Sequence, residues 1–145
     1  MASLAQQTLQ SICLFKAFRN MGIAVPITES GPFRVLEHGR SMLRPFHLDI
    51  VPVPMNNITT PGRYLVVEIN SEGEDCFHHA VALGVIDGMF FEADGDEQKI
   101  KSRADIQAMI ACPRRRAFRI VSAAVSVFLF WTPPWFETVD LWVGS

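Results

Sequence analysis

The stretch Ser11-Ile12-Cys13-Leu14-Phe15-Lys16-Ala17-Phe18-Arg19-Asn20-Met21-Gly22 predicts the first helix of the chain. Apolar side chains recur along it at helical spacing, so one face is suited to burial. Ser11 is a residue type that caps the start of a helix, and Gly22 is one that ends a helix. Cys13 is therefore expected in the first helical turn, where the backbone dipole lowers the pKa of a thiol.

The length and composition fit one globular domain over residues 1–145. Hydrophobic residues make up 49% of the chain and charged residues 19%, which allows a substantial buried core. The net charge of -2 gives no overall attraction to nucleic acid. The local basic cluster Arg114–Arg116 with Arg119 is expected to be a solvated turn. We therefore expect no nucleic-acid partner.

The cysteines and the first residues bear on the cellular compartment. Cys13, Cys76 and Cys112 are an odd number without regular spacing, which favours a reducing compartment over a disulfide framework. The chain begins without the basic leader and apolar run that are typical of a signal peptide. The apolar stretch Ile120–Trp131 is shorter than the roughly 20 residues of a spanning helix and predicts a buried strand. We expect a cytoplasmic protein, or one delivered into a host cytoplasm, without a membrane span.

The remaining sequence predicts an α+β protein. A second helix is expected over Phe33–Arg44, closed by Pro45, and a third over Ser102–Ala111, with Ser102 as cap and Asp105 completing a capping box. Strand patterns are listed in chain order as Asp49–Val53 at an edge, Arg63–Ile69, Phe77–Ile86, Met89–Ala93 and one or two strands in Ala117–Trp131. Asn70–Asp75 is expected to be a polar loop, and Asp87-Gly88 a two-residue hairpin turn. These elements predict two helices packed on an antiparallel sheet of about four to six strands.

Cys13 can act as a nucleophile only if a base lies nearby, and the chain has four histidines. His78 and His79 begin a strand, where a rigid backbone can present a side chain to a helix packed across the sheet. Adjacent strand residues point to opposite faces, so only one of the two can face the thiol. His79 is favoured, and His78 stays an alternative.

A carboxylate that orients the imidazole is expected on the strand that follows. Counting symmetrically about the Asp87-Gly88 turn places His79 opposite position 96, so Asp94 lies on a diagonal of the same row. The two side chains can therefore meet. Glu92 and Asp96 remain substitutes for Asp94.

The sequence supports a metal site less well than it supports a site of Cys13, His79 and Asp94. Cys76 with His78 and His79 lacks a fourth ligand and the spacing of a structural zinc site. The acidic residues Asp94, Asp96 and Glu97 lack the ligand period of an EF-hand. A solvated acidic turn is the simpler interpretation, and neither a metal nor a cofactor is expected.

In their order and spacing these residues resemble the papain-like cysteine hydrolase superfamily. The resemblance comprises Gln7, Cys13 at a helix start after five intervening residues, then Gly62–Val67, His79–Leu83, Gly88–Ala93 and Asp94. The compact members are most similar in layout: bacteriocin-processing peptidases, Josephin-type deubiquitinases and glutamine deamidases injected by bacterial pathogens. The segment Cys13–Phe18 also resembles the nucleophile helix of OTU deubiquitinases. The glycine-rich or aromatic signature of papain itself is not found around Cys13.

The resemblance implies a papain-like fold and thiol-dependent hydrolysis of amide bonds in a protein or peptide substrate, ubiquitin-like proteins included. Cys13 would be the nucleophile, His79 the general base and acid, and Asp94 the orienting group. Gln7 would donate its side-chain amide to the oxyanion. A cysteine peptidase or deubiquitinase is the first expectation, and a glutamine deamidase with the same triad is the alternative. A second alternative is an inactive interaction module that binds a partner through Trp131, Trp135, Phe136 and Trp142.

Overall fold

A six-stranded antiparallel sheet organises the part of the chain that the computed structural model describes, which is residues 13–26, 34–70 and 73–123, without the side chains of residues 70 and 73–78. Helix α1 covers residues 13–20 of that part. The other elements are α2 (Val35–Leu43), β1 (Leu48–Val53), β2 (Gly62–Asn70), β3 (Gly73–Ile86), β4 (Met89–Asp94), β5 (Glu97–Lys101), α3 (Arg103–Ala111) and β6 (Arg115–Ser122). Short 3₁₀ turns at Arg44–Phe46 and Met55–Thr59 flank β1. The α+β class and the antiparallel sheet agree with the sequence-based expectation.

The strand order across the sheet is β1-β6-β2-β3-β4-β5. Strands β2 to β5 form a meander, because each pairs with the next in sequence. Strand β6 returns from the far edge and inserts between β1 and β2. Strand β1 thus lies at an edge, where the missing N–H of Pro52 leaves the interior of the sheet intact.

Each face of the sheet is covered by a separate apolar cluster, as side chains along a strand alternate between faces. On one face, α1 and α2 pack on Leu65, Val67, Ala80 and Ala82. On the opposite face, α3 and the 3₁₀ turn Met55–Thr59 pack on a second set, which comprises Tyr64, Val66, Val81 and Leu83. The sheet is therefore the middle layer of the described structure.

Helix α1 is anchored by its apolar face and ended by its backbone. Leu14, Phe15 and Phe18 are fully or almost fully buried, with exposures of 0%, 1% and 0%. The N–H of Ile23 donates to the carbonyl of Phe18 at 3.1 Å, and that of Gly22 donates to the carbonyl of Arg19 at 2.9 Å. With Gly22 at φ +84°, this is a Schellman ending, which a residue without Cβ adopts at low cost. The predicted helix end at Gly22 is confirmed, whereas Ser11 lies outside the described residues.

Two other local predictions are confirmed by backbone geometry. Asp87 and Gly88 both have positive φ, +50° and +74°, and connect β3 to β4 in a tight hairpin. At the start of α3, the Ser102 hydroxyl accepts from the N–H of Asp105 at 3.1 Å, and the Asp105 carboxylate accepts from the N–H of Ser102 at 3.2 Å. The capping box therefore defines this helix start. Among the described helices, none has the length and apolar character needed to cross a bilayer.

Several predicted boundaries are wrong. Strand β2 extends to Asn70 and strand β3 begins at Gly73, so the polar loop expected over Asn70–Asp75 is wrong at both ends. Glu97 was expected in a solvated acidic turn, but it is the first residue of strand β5. The basic cluster is only partly a turn, because Arg114 lies in an exposed turn whereas Arg115 and Arg116 begin β6. The remainder of Ala117–Trp131 beyond residue 123 and the four aromatic residues of the interaction hypothesis lie outside the described residues.

We expect Phe18→Ala to destabilise the protein by about 3–5 kcal/mol, because it removes a fully buried aromatic side chain from the contact between α1 and the sheet. Urea denaturation followed by circular dichroism measures this loss. Lys16→Ala on the exposed side of the same helix is the matched control, expected to change stability by about 1 kcal/mol at most. Equal effects of the two substitutions would contradict anchoring by the apolar face.

Candidate active site

The thiol of Cys13 lies where α1 meets the side of strand β3. The residue is half-buried and packs against the core cluster that anchors the helix. The backbone N–H of Ala80 on β3 is close enough to the sulfur to favour its charged form. The sulfur therefore lies beside this strand.

His79 lies on β3 at an irregular point of the sheet. The pairing of β3 with β4 ends at Ala82 and Ala93, so His79 is past the last pair on that side. On the other side, His79 pairs with Glu68, and a bulge then shifts the register so that Ile69 pairs with Phe77. Bulges redirect side chains near strand ends. This local irregularity leaves the imidazole room to turn toward the helix.

Three of the predicted residues are brought together in one line of contacts. The Sγ atom of Cys13 lies 3.8 Å from Nδ1 of His79. On the far side of the same ring, Nε2 lies 2.7 Å from Oδ1 of Asp94. The side chains of His79 and Asp94 are 41% and 43% exposed, so solvent and a large partner can reach them.

The Asp94 contact determines which ring nitrogen can act as a base. A carboxylate accepts hydrogen bonds, so the 2.7 Å contact places a proton on Nε2 of His79. In the neutral ring, Nδ1 then carries the free lone pair. That lone pair is on the side of the Cys13 sulfur and can accept its proton. Asp94 therefore selects the tautomer that the site needs.

The turn after Asp94 is tied to the helix that carries the thiol. The side-chain amide of Asn20 donates to the carbonyl of Gly95 at 2.9 Å. Lys16 lies 3.6 Å from the Asp96 carboxylate. Both contacts are exposed, so they add little free energy each. They nevertheless link the helix to the turn directly, and this limits how far Asp94 can move from Cys13.

Burial raises the pKa of the Cys13 thiol above its ordinary value of 9.0, and the negative charge of Asp94 also raises it. The Ala80 N–H and the positive charge of Lys16 oppose this increase. The expectation of a pKa lowered by the helix start is therefore wrong for the unliganded structure, because desolvation is the largest effect. With its pKa raised, the Cys13 thiol is neutral at neutral pH.

The alternatives considered from the sequence have other partners. Glu92 lies 3.4 Å from Lys101, and Asp96 pairs with Lys16, so neither orients His79 in place of Asp94. The side chain of His78 and all of Gln7 lie outside the described residues. Within the described part of the chain, no group of three or more His, Cys, Asp or Glu side chains is placed to hold a metal ion.

Comparison with known proteins does not assign the chain to a family. No protein-family model matches the chain, and no curated protein matches it. The geometry of the site is therefore the basis on which a function can be proposed.

Two depressions lie near this site. A polar cavity of about 230 Å³ is bordered by His79 and Asp94 and contains Arg115, which sequence patterns assigned to a turn. A larger depression of about 510 Å³ lies beside the end of α1 and includes the exposed Phe91 and Ile100, but none of the three site residues lines it. The charged cavity residues Glu68, Lys99, Lys101 and Arg115 were missed, because they come from three separate strands and form no local motif.

Two charge substitutions should shift the Cys13 pKa in opposite directions. Asp94→Asn removes a charge that raises the pKa, so the alkylation profile should move to lower pH. Lys16→Ala removes a charge that lowers the pKa, so the profile should move to higher pH. Iodoacetamide alkylation of Cys13 over a pH series, followed by peptide mass spectrometry, measures both. Shifts in the same direction, or none, would contradict this electrostatic account.

Proposed function

We propose that the protein is a thiol-dependent hydrolase of amide bonds in protein or peptide substrates, a cysteine peptidase or deubiquitinase of the papain-like type. The observation that carries the proposal is the continuous contact from Cys13 Sγ to His79 Nδ1, at 3.8 Å, and from His79 Nε2 to Asp94 Oδ1, at 2.7 Å. Such an order of nucleophile, base and orienting carboxylate is recognised by geometry across unrelated folds.

The acylation step begins with proton transfer. As the Cys13 sulfur forms a bond to the substrate carbonyl carbon, its proton moves to Nδ1 of His79 and the carbonyl oxygen becomes an oxyanion. The imidazolium is stabilised by Asp94, which stays ionised. Collapse of the tetrahedral intermediate breaks the carbon–nitrogen bond, and His79 returns the proton to the leaving amine. A thioester to Cys13 remains.

The deacylation step uses the same residues. His79 removes a proton from water, the resulting oxygen attacks the thioester carbonyl, and the carbon–sulfur bond breaks. His79 returns its proton to the departing sulfur, so the products are a carboxylic acid and the Cys13 thiol, and the site is restored.

The oxyanion requires fixed hydrogen-bond donors that point at the position where negative charge develops. In the proposed mechanism, the side-chain amide of Gln7 and the backbone N–H of Cys13 serve as these donors. The resemblance of residues 7–13 to the superfamily supports this assignment for Gln7. The open setting of His79 and Asp94 supports access by a macromolecular substrate.

Hydrolysis should depend on Cys13 far more than on the other described thiol. Cys13→Ala and His79→Ala should each lower kcat/KM by at least roughly 1,000-fold, and Gln7→Ala by roughly 100-fold. Cys112→Ala is the matched control, because Cys112 is a free cysteine of similar partial burial at the end of α3, and it should retain full activity.

The assay uses a panel of ubiquitin fusions, peptide pools and glutamine-rich proteins, read by intact mass. Peptide-bond cleavage produces two fragments, whereas deamidation of glutamine changes the mass by roughly one dalton. If only deamidation is observed, the site carries out the alternative reaction, glutamine deamidation, and is not a peptidase. No product from any substrate, together with no labelling of Cys13 by a thiol-directed covalent probe, would contradict the proposal.

A further inference from the structure

One row of paired residues crosses four strands on the face of the sheet that carries α1. Arg63 on β2 pairs with Gly84 on β3. Gly84 pairs in turn with Phe91 on β4, and Phe91 pairs with Ile100 on β5. Directly paired residues of antiparallel strands point to the same face, and all four line the depression of about 510 Å³ beside the end of α1. The row is therefore the floor of this depression, with a cation at one end and apolar side chains at the other.

Gly84 lies in the middle of this row without a steric reason within the chain. Its φ is not in the left-handed region, and a Cβ added there would meet no other atom within 4 Å. A glycine inside a strand is less favourable than a residue with a side chain, and it often marks a place where a ligand or another backbone comes close. The missing side chain thus keeps the middle of the depression open.

Arg63 contributes a positive charge that has no carboxylate partner among the described residues. Its Nη1 donates to the carbonyl of Met21 at 3.3 Å. Its Nε and Nη2 have no acceptor in the described part of the chain, but they are not buried, so a ligand oxygen can reach them. Glu92 also borders the depression, but it contacts Lys101 at 3.4 Å. A guanidinium with two open donors matches the two oxygens of a carboxylate.

The other end of the row is apolar and open to solvent. Phe91 is 41% exposed and Ile100 is 66% exposed. Ile86 and Met89, which pair on the same face next to this row, are exposed as well but do not line the depression. These four are among the five large hydrophobic residues that the described structure exposes. Contiguous exposed apolar side chains are typical of a surface that binds a partner.

We propose that the depression binds the carboxyl terminus of a partner protein. The terminal carboxylate accepts hydrogen bonds from Arg63, and an apolar side chain of the partner lies above Gly84 and contacts Phe91. None of the three residues of the proposed active site lines this depression. The proposal therefore does not depend on the hydrolase function.

The closed end of the depression favours a chain terminus over an internal acidic residue. Met21 packs against the core cluster under α1, and its carbonyl accepts from Arg63. On the other side of Arg63 the row continues to Ile120, which is buried. A peptide that reaches the guanidinium thus meets packed side chains and cannot continue in the same direction. A terminal carboxylate needs no continuation.

The extent of the exposed apolar surface favours a protein over a small carboxylic acid. Ile86 and Met89 continue this surface past the depression. A free fatty acid that fills the depression would leave both side chains in water. A protein whose terminus enters the depression can cover them, and removal of apolar surface from water favours this larger partner.

The length of the bound segment follows from strand spacing. Phe91 is two strands from Arg63 and Ile100 is three strands away. Neighbouring strands lie about 4.8 Å apart, so these separations are about 10 Å and about 14 Å. An extended peptide advances about 3.3 Å per residue. The last three to five residues of the partner therefore occupy the depression.

The first test measures binding of acetylated pentapeptides to the full chain by isothermal titration calorimetry. The last three residues of the panel combine leucine, valine and phenylalanine, and each peptide is made with a free carboxylate and with a carboxyl-terminal amide. Acids should bind at least roughly 10-fold more tightly than their amides, because hydrogen bonds between two charged groups are stronger. Equal affinities of acid and amide, or no binding of any acid at millimolar concentration, would overturn the proposal.

Two further probes distinguish the source of the carboxylate. In the first, a glutamate replaces the last residue and the chain continues through two glycines to an amide, so the carboxylate is internal. The second is octanoate, a fatty acid without a peptide. Both should bind more weakly than the best pentapeptide acid. Equal or tighter binding of either probe would contradict the assignment to a protein terminus.

Arg63→Gln should abolish the preference for acids over amides, because the side chain loses its charge but keeps a donor. Arg103→Gln is the matched control, since Arg103 is exposed on α3, which covers the opposite face, and the change in charge is the same. It should keep the preference. A preference that survives Arg63→Gln would show that the carboxylate binds elsewhere.

Gly84→Val tests the depression without removing any contact. A β-branched side chain suits a strand and has open space here, so the melting temperature should stay the same or rise. The same side chain fills the middle of the depression, so the affinity for the acid peptides should fall by at least roughly 10-fold. Unchanged affinity in this variant would overturn the site. If a variant fails to fold, the comparison of acid, amide, internal carboxylate and octanoate on the natural chain still decides the question.

Discussion

The burial of one face of α1 against the sheet is the interaction on which the proposed site depends. Leu14, Phe15 and Phe18 hold the helix on the strand that carries His79, and the thiol of Cys13 is thereby placed beside it. The polar side of the helix contributes a second attachment through Asn20, which holds the turn following Asp94. Cys13, His79 and Asp94 thus belong to elements that are connected both through the core and at the surface.

The same burial sets the protonation state of the site. Desolvation and the Asp94 charge raise the pKa of Cys13, so the resting site contains a neutral thiol. Asp94 has a second effect, because it holds the proton of His79 on Nε2 and leaves Nδ1 able to accept. The carboxylate thus opposes a preformed thiolate, and in the proposed mechanism it also prepares His79 to accept the thiol proton. Proton transfer during attack is the chemistry that this arrangement favours.

Local sequence patterns predicted what local forces determine: the end of α1 at Gly22, the hairpin at Asp87-Gly88 and the capping box of α3. The diagonal relation of His79 to Asp94 was also predictable, since a two-residue turn fixes the register. The insertion of β6 between β1 and β2 was not, because pairing of distant strands leaves no local signal. Strand β5 was not predictable either, because it lacks an apolar face.

The central claim is that Asp94 fixes His79 as the base for a neutral Cys13 thiol. Nitrogen-15 nuclear magnetic resonance of the His79 ring at neutral pH tests it most directly, because it identifies which nitrogen carries the proton. We expect the neutral ring to carry its proton on Nε2 and not on Nδ1, and to lose that bias in Asp94→Asn. A neutral ring with its proton on Nδ1 would contradict this assignment.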